Sequence, residues 1–420
     1  MAKSLTEREE LLAKLKEEVE RCVNCGFCES VCPTLPASGF RPAIGARGRV
    51  DIARFFLEQV EQEGKSDLRI SDAFYSCLGC YACVHVCPAG VNAGKVSEIG
   101  KRVVASGNVT SSNQEKSIAK MIVEVTKKLG NPFGVRRECA SWAEGLEFDE
   151  SSDTLLYTGN MYQLMAYNAP LSRLVEIFGE HVSDHLANFV SHHPSTTCMI
   201  RLFADRKMRN VMNAYLRDIY TLLKSSGIRF NYLRDLEPYP GTLIYDFGYL
   251  DDFTEYAARV TDFFRKKGVK RIITIDPHTF DVLKNKYPKQ VNDFDFEVVY
   301  FLDCVDEEQF EMMNDKVVLH EPCYVSLRGD TYVGLPRLLE KVAQVEYPMR
   351  SGKMTMCCGG PDEALFGGLS HRISEQRFSQ LKDVGVEKII TACPICYANL
   401  SKYGHVEDIS GFLASHAKNQ

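Results

Sequence analysis

Apolar positions along the first 130 residues recur at helical spacing. Leu11, Leu12, Leu15 and Val19 stripe an otherwise charged segment over 5–21, and Val50 to Gln62 carries a second stripe. Recurrence every three to four residues predicts amphipathic helices. Beyond residue 130 the pattern changes. Short apolar runs at Thr154–Tyr157, Thr242–Tyr245, Arg271–Ile275, Lys316–Leu319 and Lys388–Thr391 read as buried strands, with longer amphipathic stretches between them. Strand–helix alternation predicts a largely parallel sheet. Asn131-Pro132 and Gly134 mark a linker between the two regimes. The expected fold is α+β and multidomain: an all-helical unit over 1–130, a linker over 131–152, and α/β units over 153–312 and 313–420.

The two α/β units repeat one another. Gly268 to Thr274 (GVKRIIT) matches Gly385 to Thr391 (GVEKIIT), and the copies then diverge. One continues Ile275-Asp276-Pro277-His278-Thr279, the other Ala392-Cys393-Pro394-Ile395-Cys396. Upstream, Tyr239-Pro240-Gly241 aligns with Cys357-Cys358-Gly359, and Asn160 with Cys323. The second copy thus has five cysteines where the first has none. Between the first two of these positions lie 33 residues in the second copy and 78 in the first. An insertion therefore falls near 162–210, with helical patterning over Leu171–Val190. A surface elaboration is the default reading; long insertions also serve as docking elements.

Bulk properties narrow the class. The chain has 420 residues, 45% hydrophobic and 25% charged, with a net charge of −6. That charge gives nucleic-acid binding no electrostatic support. No apolar run approaches the length that spans a bilayer, and the charged segment Met1–Glu20 has no signal core. A cytoplasmic location is expected, with membrane association through a partner subunit. Of sixteen cysteines, eight fall in two runs and five in the second copy; Cys139, Cys198 and Cys304 are left as ordinary small residues.

The two runs are one motif written twice. Cys22, Cys25, Cys28 and Cys32 precede Pro33; Cys77, Cys80, Cys83 and Cys87 precede Pro88. Cys-x2-Cys-x2-Cys-x3-Cys-Pro is the ligand run of two-cluster bacterial-type ferredoxins, in which the fourth cysteine of each run ligates the other cluster. Cys22, Cys25, Cys28 and Cys87 are therefore assigned to one 4Fe–4S cubane, and Cys77, Cys80, Cys83 and Cys32 to a second. Structural zinc uses four ligands in paired knuckles rather than four cysteines in eleven residues. Disulfides require an oxidising compartment. The 44 residues between Cys32 and Cys77 exceed the spacer of a small β-type ferredoxin, which favours a helical ferredoxin domain.

The remaining five, Cys323, Cys357, Cys358, Cys393 and Cys396, follow strands or sit in a Gly-rich turn. Carboxyl ends of parallel strands converge on one crevice, so three sequence-distant groups can meet there. Soft thiolates select iron–sulfur clusters or zinc. The side chains of adjacent cysteines diverge, so using both implies an extended or multinuclear centre. His320-Glu321-Pro322-Cys323, Cys357-Cys358-Gly359-Gly360 and Thr391-Ala392-Cys393-Pro394-Ile395-Cys396 resemble the cysteine-rich CCG domain of heterodisulfide reductase and its relatives. Those relatives include the iron–sulfur subunits of anaerobic glycerol-3-phosphate dehydrogenase and of glycolate or D-lactate oxidases. Cys25-Gly26-Phe27-Cys28 and Arg47-Gly48-Arg49 resemble the ferredoxin part of the family.

The resemblance implies a helical ferredoxin domain followed by two pseudo-repeated CCG domains, with a noncubane 4Fe–4S cluster on the five C-terminal cysteines. A zinc ion or cubane on four of them, or a strained vicinal disulfide, are the other readings. Asn160, Tyr239, Pro240, Asp276 and Thr279 cannot replace five thiolates, so Asp276 and His278 read as structural, as do His320 and Glu321 beside the second site. No Gly-x-Gly-x-x-Gly follows a strand and opens a helix, so no flavin or nicotinamide site is expected. The resemblance implies an iron–sulfur subunit that passes electrons from a flavoprotein dehydrogenase subunit towards quinone or a membrane partner. The dehydrogenase would be of glycerol 3-phosphate, D-lactate or glycolate type. The alternative is a catalytic subunit that reduces a disulfide at the C-terminal cluster with a membrane cytochrome partner. Catalytic residues are unassigned by either reading.

Overall fold

The computed structural model describes residues 2–107, 110, 114–328 and 334–418, with the side chains of 2–7, 169, 171–181, 198, 199 and 362 set aside; Cys198 therefore lies outside the described side chains. The N-terminal part is helical, as its apolar stripes require. Its main helices are Ala2–Glu20, Ala46–Glu63, Ala93–Ser106 and Ser117–Leu129. Leu15, Val19, Val50, Ala53, Phe56, Val96, Ile99 and Val103 meet in one buried core. Gly130 ends the last helix in the left-handed conformation (φ 83°), a position that favours glycine.

Among the described residues seven strands follow: β1 Thr154–Tyr157, β2 Arg271–Thr274, β3 Glu297–Tyr300, β4 Lys316–His320, β5 Gln344–Glu346, β6 Ile389–Thr391 and β7 Val406–Asp408. They form two parallel sheets, ordered β1-β2-β3 and β5-β4-β6-β7. A single parallel bridge from Leu155 to Asn231 lies beside β1, where β5 lies beside β4. The sheets therefore share one strand order, with β1, β2 and β3 standing where β4, β6 and β7 stand. A common core holds them together: Leu156 and Ile273 of the first sheet and Leu319 and Ile390 of the second belong to one buried cluster. Tyr162 donates to Asp408 Oδ2 at 3.0 Å and Tyr300 to the Ala392 carbonyl at 2.9 Å across this junction.

Three expectations are corrected. Thr242–Tyr245 is not a strand but part of the helix Thr242–Asp246, entered from Gly241 at φ 82°. Apolar runs this short do not distinguish buried strand from buried helix. The 131–152 segment is not a free linker. It contains the helices Arg136–Cys139 and Ser141–Ala143, and Val135, Cys139, Trp142 and Ala143 are buried in the common core. Its apolar residues outweigh the turn signal of Asn131-Pro132. The third concerns the insertion near 162–210, which is more than a surface elaboration. Its helix Met161–His192 begins with the buried Met161, Tyr162 and Tyr167 and turns outward later, exposing Val182, Leu186 and Phe189. Strands β3, β5 and β7 carry too few consecutive apolar residues to be read as strands from sequence. No helix among the described residues is long and apolar enough to cross a membrane.

Candidate metal centres

The two N-terminal cysteine runs fold into matching loops. In each, the residues on both sides of the second cysteine have positive φ: Asn24 (56°) and Gly26 (85°) around Cys25, Gly79 (59°) and Tyr81 (65°) around Cys80. Successive turns of this kind direct neighbouring groups into one concavity. The thiols group across the runs. Cys28 neighbours Cys22, Cys32 and Cys87, whereas Cys83 neighbours Cys80, Cys77 and Cys32. Burial pushes the Cys28 thiol up to about 12 and raises Cys83 well above the usual thiol range. Thiolates so crowded and desolvated require a positive centre, so the donor set fits two clusters.

The two groups differ in exposure. Cys25 is exposed and flanked by Val23 and Phe27, 69% and 59% exposed, while Cys32, Cys80 and Cys83 are buried. Buried Arg49 closes the inner group. It donates to Cys32 Sγ at 3.7 Å, to Thr34 Oγ1 and Ser76 O at 3.1 Å, and to Ala73 O at 2.6 Å. Its motif neighbours have separate work. Arg47 pairs with Glu29 at 3.3 Å, and Gly48 lies so close to Pro42 that a Cβ would stand 1.9 Å from its carbonyl oxygen.

The C-terminal five converge from the carboxyl ends of β4 and β6. Register sets His320 beside Thr391, which brings the following turns to one edge. Cys323 opens the helix Cys323–Ser326; Cys393 is the N-cap of Pro394–Leu400, and Cys396 lies in its first turn. Cys357-Cys358 enter from the loop before Gly359 (φ 86°). All five are at least 95% buried. The two sulfurs of the vicinal pair touch each other but have different further neighbours. Cys357 packs with Cys323, at 3.7 Å between sulfurs, whereas Cys358 packs with Cys393 and Cys396. Hydrogen bonds from the Cys357 and Cys396 thiols hold Cys358 down to about 6. Burial opposes ionisation of Cys393, but hydrogen bonds from Cys396 and His278 bring it to about 6 as well. Five sealed thiols of this kind fit a metal centre and leave a disulfide little support.

The surrounding polar groups are informative. His320 is fully buried, and its Nδ1 accepts from Arg377 Nε at 3.1 Å. Its Nε2 and the Thr391 hydroxyl have no hydrogen-bond partner among the described residues. A His320 ring nitrogen and the Cys358 and Cys396 sulfurs lie within 4.8 Å of one another. Glu321 accepts from the Gly352 amide and is the satisfied polar residue expected. In the first copy, Asp276 occupies the N-cap that Cys393 occupies in the second. Its Oδ1 accepts from the His278 and Thr279 amides at 2.9 and 3.0 Å. Asn160 donates to Glu237 Oε1 at 2.9 Å, and burial pushes Glu237 up to about 7. Hydrogen bonds of Asn160 and of Asp276 Oδ1 thus fill two of the places where the second copy has sulfur, while Asp276 Oδ2 and the Thr279 hydroxyl find no partner among the described residues.

The inner N-terminal group adjoins the C-terminal one. Leu78 and Cys80 share a buried cluster with Cys323 and Cys357. Arg328 Nε donates to Gly79 O at 2.6 Å, and its guanidinium stacks on Tyr324, 3.6 Å from the ring centroid. Tyr324 in turn stacks on His278 at 3.8 Å. A cleft between the helical part and the two sheets is lined by Tyr75, Lys101, Asp246, His278, Tyr324 and Ile395, among others. In the sequence Arg49 stands out only as part of a motif, and Arg328 and Arg377 do not stand out at all. Their partners lie tens to hundreds of residues away, so no local pattern points to them.

Residues 18–91 match the family model described as a 4Fe-4S dicluster domain, and residues 317–401 the cysteine-rich domain CCG. Among curated proteins, the chain is 20% identical to a subunit of the dihydromethanophenazine:CoB–CoM heterodisulfide reductase of Methanosarcina barkeri, covering 91% of this chain and 88% of that one. It is 22% identical to the EtfAB:quinone oxidoreductase of Syntrophomonas wolfei over 90% of this chain, but spans only 54% of that protein. A probable glycolate oxidase iron-sulfur subunit of Bacillus subtilis is 29% identical over 109 residues, 26% of this chain and 22% of that one. Both matched domains coincide with the cysteine groups that the fold assembles, and the chain is thus a 4Fe–4S dicluster and CCG cysteine-rich domain protein, a distant homologue of the heterodisulfide reductase subunit.

Proposed function

We propose that the chain is the electron-relaying iron–sulfur subunit of a larger oxidoreductase. It would take electrons from a flavoprotein dehydrogenase and pass them towards quinone, directly or through a membrane partner. One observation carries this reading: the cysteine groups form a continuous series, from exposed Cys25 through buried Cys32 and Cys80 to the sealed Cys323 and Cys357. The names of the quinone oxidoreductase and glycolate oxidase relatives agree with it. On this reading Cys22, Cys25, Cys28 and Cys87 hold the outer cubane, and Cys77, Cys80, Cys83 and Cys32 the inner one. Cys323, Cys357, Cys358, Cys393 and Cys396 hold a third cluster, noncubane because the vicinal pair reaches in two directions. Residues 153–312 are a CCG-like copy that has lost its ligands. Bound clusters supply one-electron steps. The protein's part is to exclude water and to place donors on sulfur, as Arg49 does at Cys32 and the Val91 amide at Cys87, 3.2 Å away.

Val23 and Phe27 then form the docking rim for the electron partner. Apolar residues around an exposed redox loop suit the small interfaces of electron-transfer complexes. Phe27→Glu is expected to slow reduction by a reduced flavoprotein donor about tenfold, the equivalent of about 1.4 kcal/mol, with iron content unchanged. Stopped-flow absorbance under anaerobic conditions measures it. An unchanged rate would move the docking site elsewhere.

A second reading has one observation in its favour. The cleft reaches His278 and Ile395, which flank Cys393, so a small disulfide could approach the third cluster as in a heterodisulfide reductase. Iron, sulfide and zinc analysis with low-temperature EPR separates the readings. Three clusters, about twelve irons per chain, with no spectral response to thiol or disulfide, support the relay. A thiol-responsive signal from the third cluster supports disulfide reduction. Two clusters and one zinc would remove the C-terminal site from electron transfer.

A further inference from the structure

We infer that His320 is a fixed N–H···S hydrogen-bond donor to the C-terminal centre, held in that role by Arg377. The ring sits at the end of β4, fully buried. Arg377, on the helix Gly367–Lys382, donates from Nε to Nδ1 at 3.1 Å. A guanidinium has donors only. Burial and the neighbouring Arg350 bring Arg377 down to about 10, which still leaves it charged at neutral pH. Its plane is set by further bonds from Nη1 to Arg350 O at 2.9 Å and Gln380 Oε1 at 3.2 Å. Nδ1 must therefore present its lone pair, and the single proton of the neutral imidazole sits on Nε2.

That Nε2 proton has no hydrogen-bond partner among the described residues, although an unpaired buried donor bears its full desolvation cost. A ring nitrogen of His320 and the Cys358 and Cys396 sulfurs lie within 4.8 Å of one another, so these sulfurs are the neighbouring acceptors. A protonated nitrogen has no lone pair to give, so His320 is a donor to sulfur and not a metal ligand. The first copy supplies a contrast. Tyr157 stands at the equivalent position, three residues before Asn160 as His320 is three before Cys323. Its hydroxyl turns away to donate to Pro238 O at 2.7 Å. The donor thus occurs in the copy that has the cysteines. Reduction adds negative charge to the cluster and its thiolates, and a hydrogen bond to an anion strengthens with its charge. His320 therefore raises the reduction potential of the C-terminal centre relative to a site without it. Arg377 is a positioning residue: it fixes the tautomer.

The inference rests on the five cysteines holding an iron–sulfur cluster, so iron content is measured alongside. The experiment is an anaerobic EPR-monitored redox titration of the full chain, unsubstituted and as His320→Phe and His320→Gln. His320→Phe is expected to shift the C-terminal midpoint negative and leave the two N-terminal ones unmoved. A tenfold loss of preference for the reduced state corresponds to about 59 mV for a one-electron couple. His320→Gln, which keeps an N–H donor, should recover part of the shift. HYSCORE spectroscopy of the unsubstituted protein, exchanged into D2O, needs no variant. It should show a weakly coupled exchangeable deuteron and only weak nitrogen coupling. Strong coupling to a directly bonded nitrogen, or an unmoved midpoint in His320→Phe at full iron content, overturns the inference. Iron for two clusters alone overturns the reading beneath it.

Discussion

Cys87→Ala is expected to remove one N-terminal cluster, about four irons per chain, and it should be the cluster of the first run rather than its own. Cys28 lies beside Cys22, Cys32 and Cys87, while Cys83 lies beside Cys80, Cys77 and Cys32 but not Cys87, so Cys87 groups with the first run. Paired substitutions decide the matter, since residues serving one unit are not additive. Cys87→Ala with Cys25→Ala should lose no more iron than Cys87→Ala alone. Cys87→Ala with Cys80→Ala should lose both clusters. The opposite pattern would mean that each run serves itself. With the outer cluster gone, electron delivery from a protein donor to the buried groups should fall by orders of magnitude, because Cys25 is the exposed end of the series. Iron analysis and stopped-flow reduction read the two effects separately.

Arg49→Leu should destabilise the helical part by about 3–5 kcal/mol, as expected when one partner of a buried charged network is removed. The residue is 1% exposed, and its acceptors include Cys32 Sγ, Thr34 Oγ1, Ser76 O, Ser76 Oγ and Ala73 O. Leucine leaves these acceptors dry, at about 1–3 kcal/mol for each that finds no substitute. Arg49→Lys keeps the charge but lacks the planar fork that reaches several acceptors at once, so it should fall between. Anaerobic thermal denaturation followed by circular dichroism measures this. Arg49→Leu should also shed the inner cluster first, seen as loss of iron on mild heating. An unchanged melting temperature would reduce the residue to a spectator of the cluster loop.

Arg49 shows how legibility divides. Its motif, Arg47-Gly48-Arg49, stands out in the sequence by resemblance, but its two arginines act on groups the sequence places well away. Arg49 reaches 15 to 27 positions along the chain, Arg47 meets Glu29, and Gly48 meets Pro42. The degenerate repeat is more readable, because Asp276 and Cys393 occupy equivalent N-caps after equivalent strands. What replaces the lost ligands is readable only in part. The bonds of Asp276 to the amides two and three residues on are a local N-cap, whereas the bond of Asn160 to Glu237, 77 positions away, exists only once the fold brings them together.

The sequence by itself determined the metal-binding chemistry, the helical and the α/β regimes, and the alignment of the two copies. These are local properties: cluster loops place their cysteines within eleven residues, and helices and strands announce themselves by spacing within one element. Tertiary structure alone decided which cysteine group faces solvent, which adjoins the C-terminal site, and which way the vicinal pair divides. It also turned Thr242–Tyr245 into helix and drew 131–152 into the core. It set His320 against Arg377, 57 positions apart, where a buried guanidinium leaves the imidazole one place for its proton. Burial and the direction of a hydrogen bond depend on neighbours distant in sequence, and no local pattern of residues encodes them.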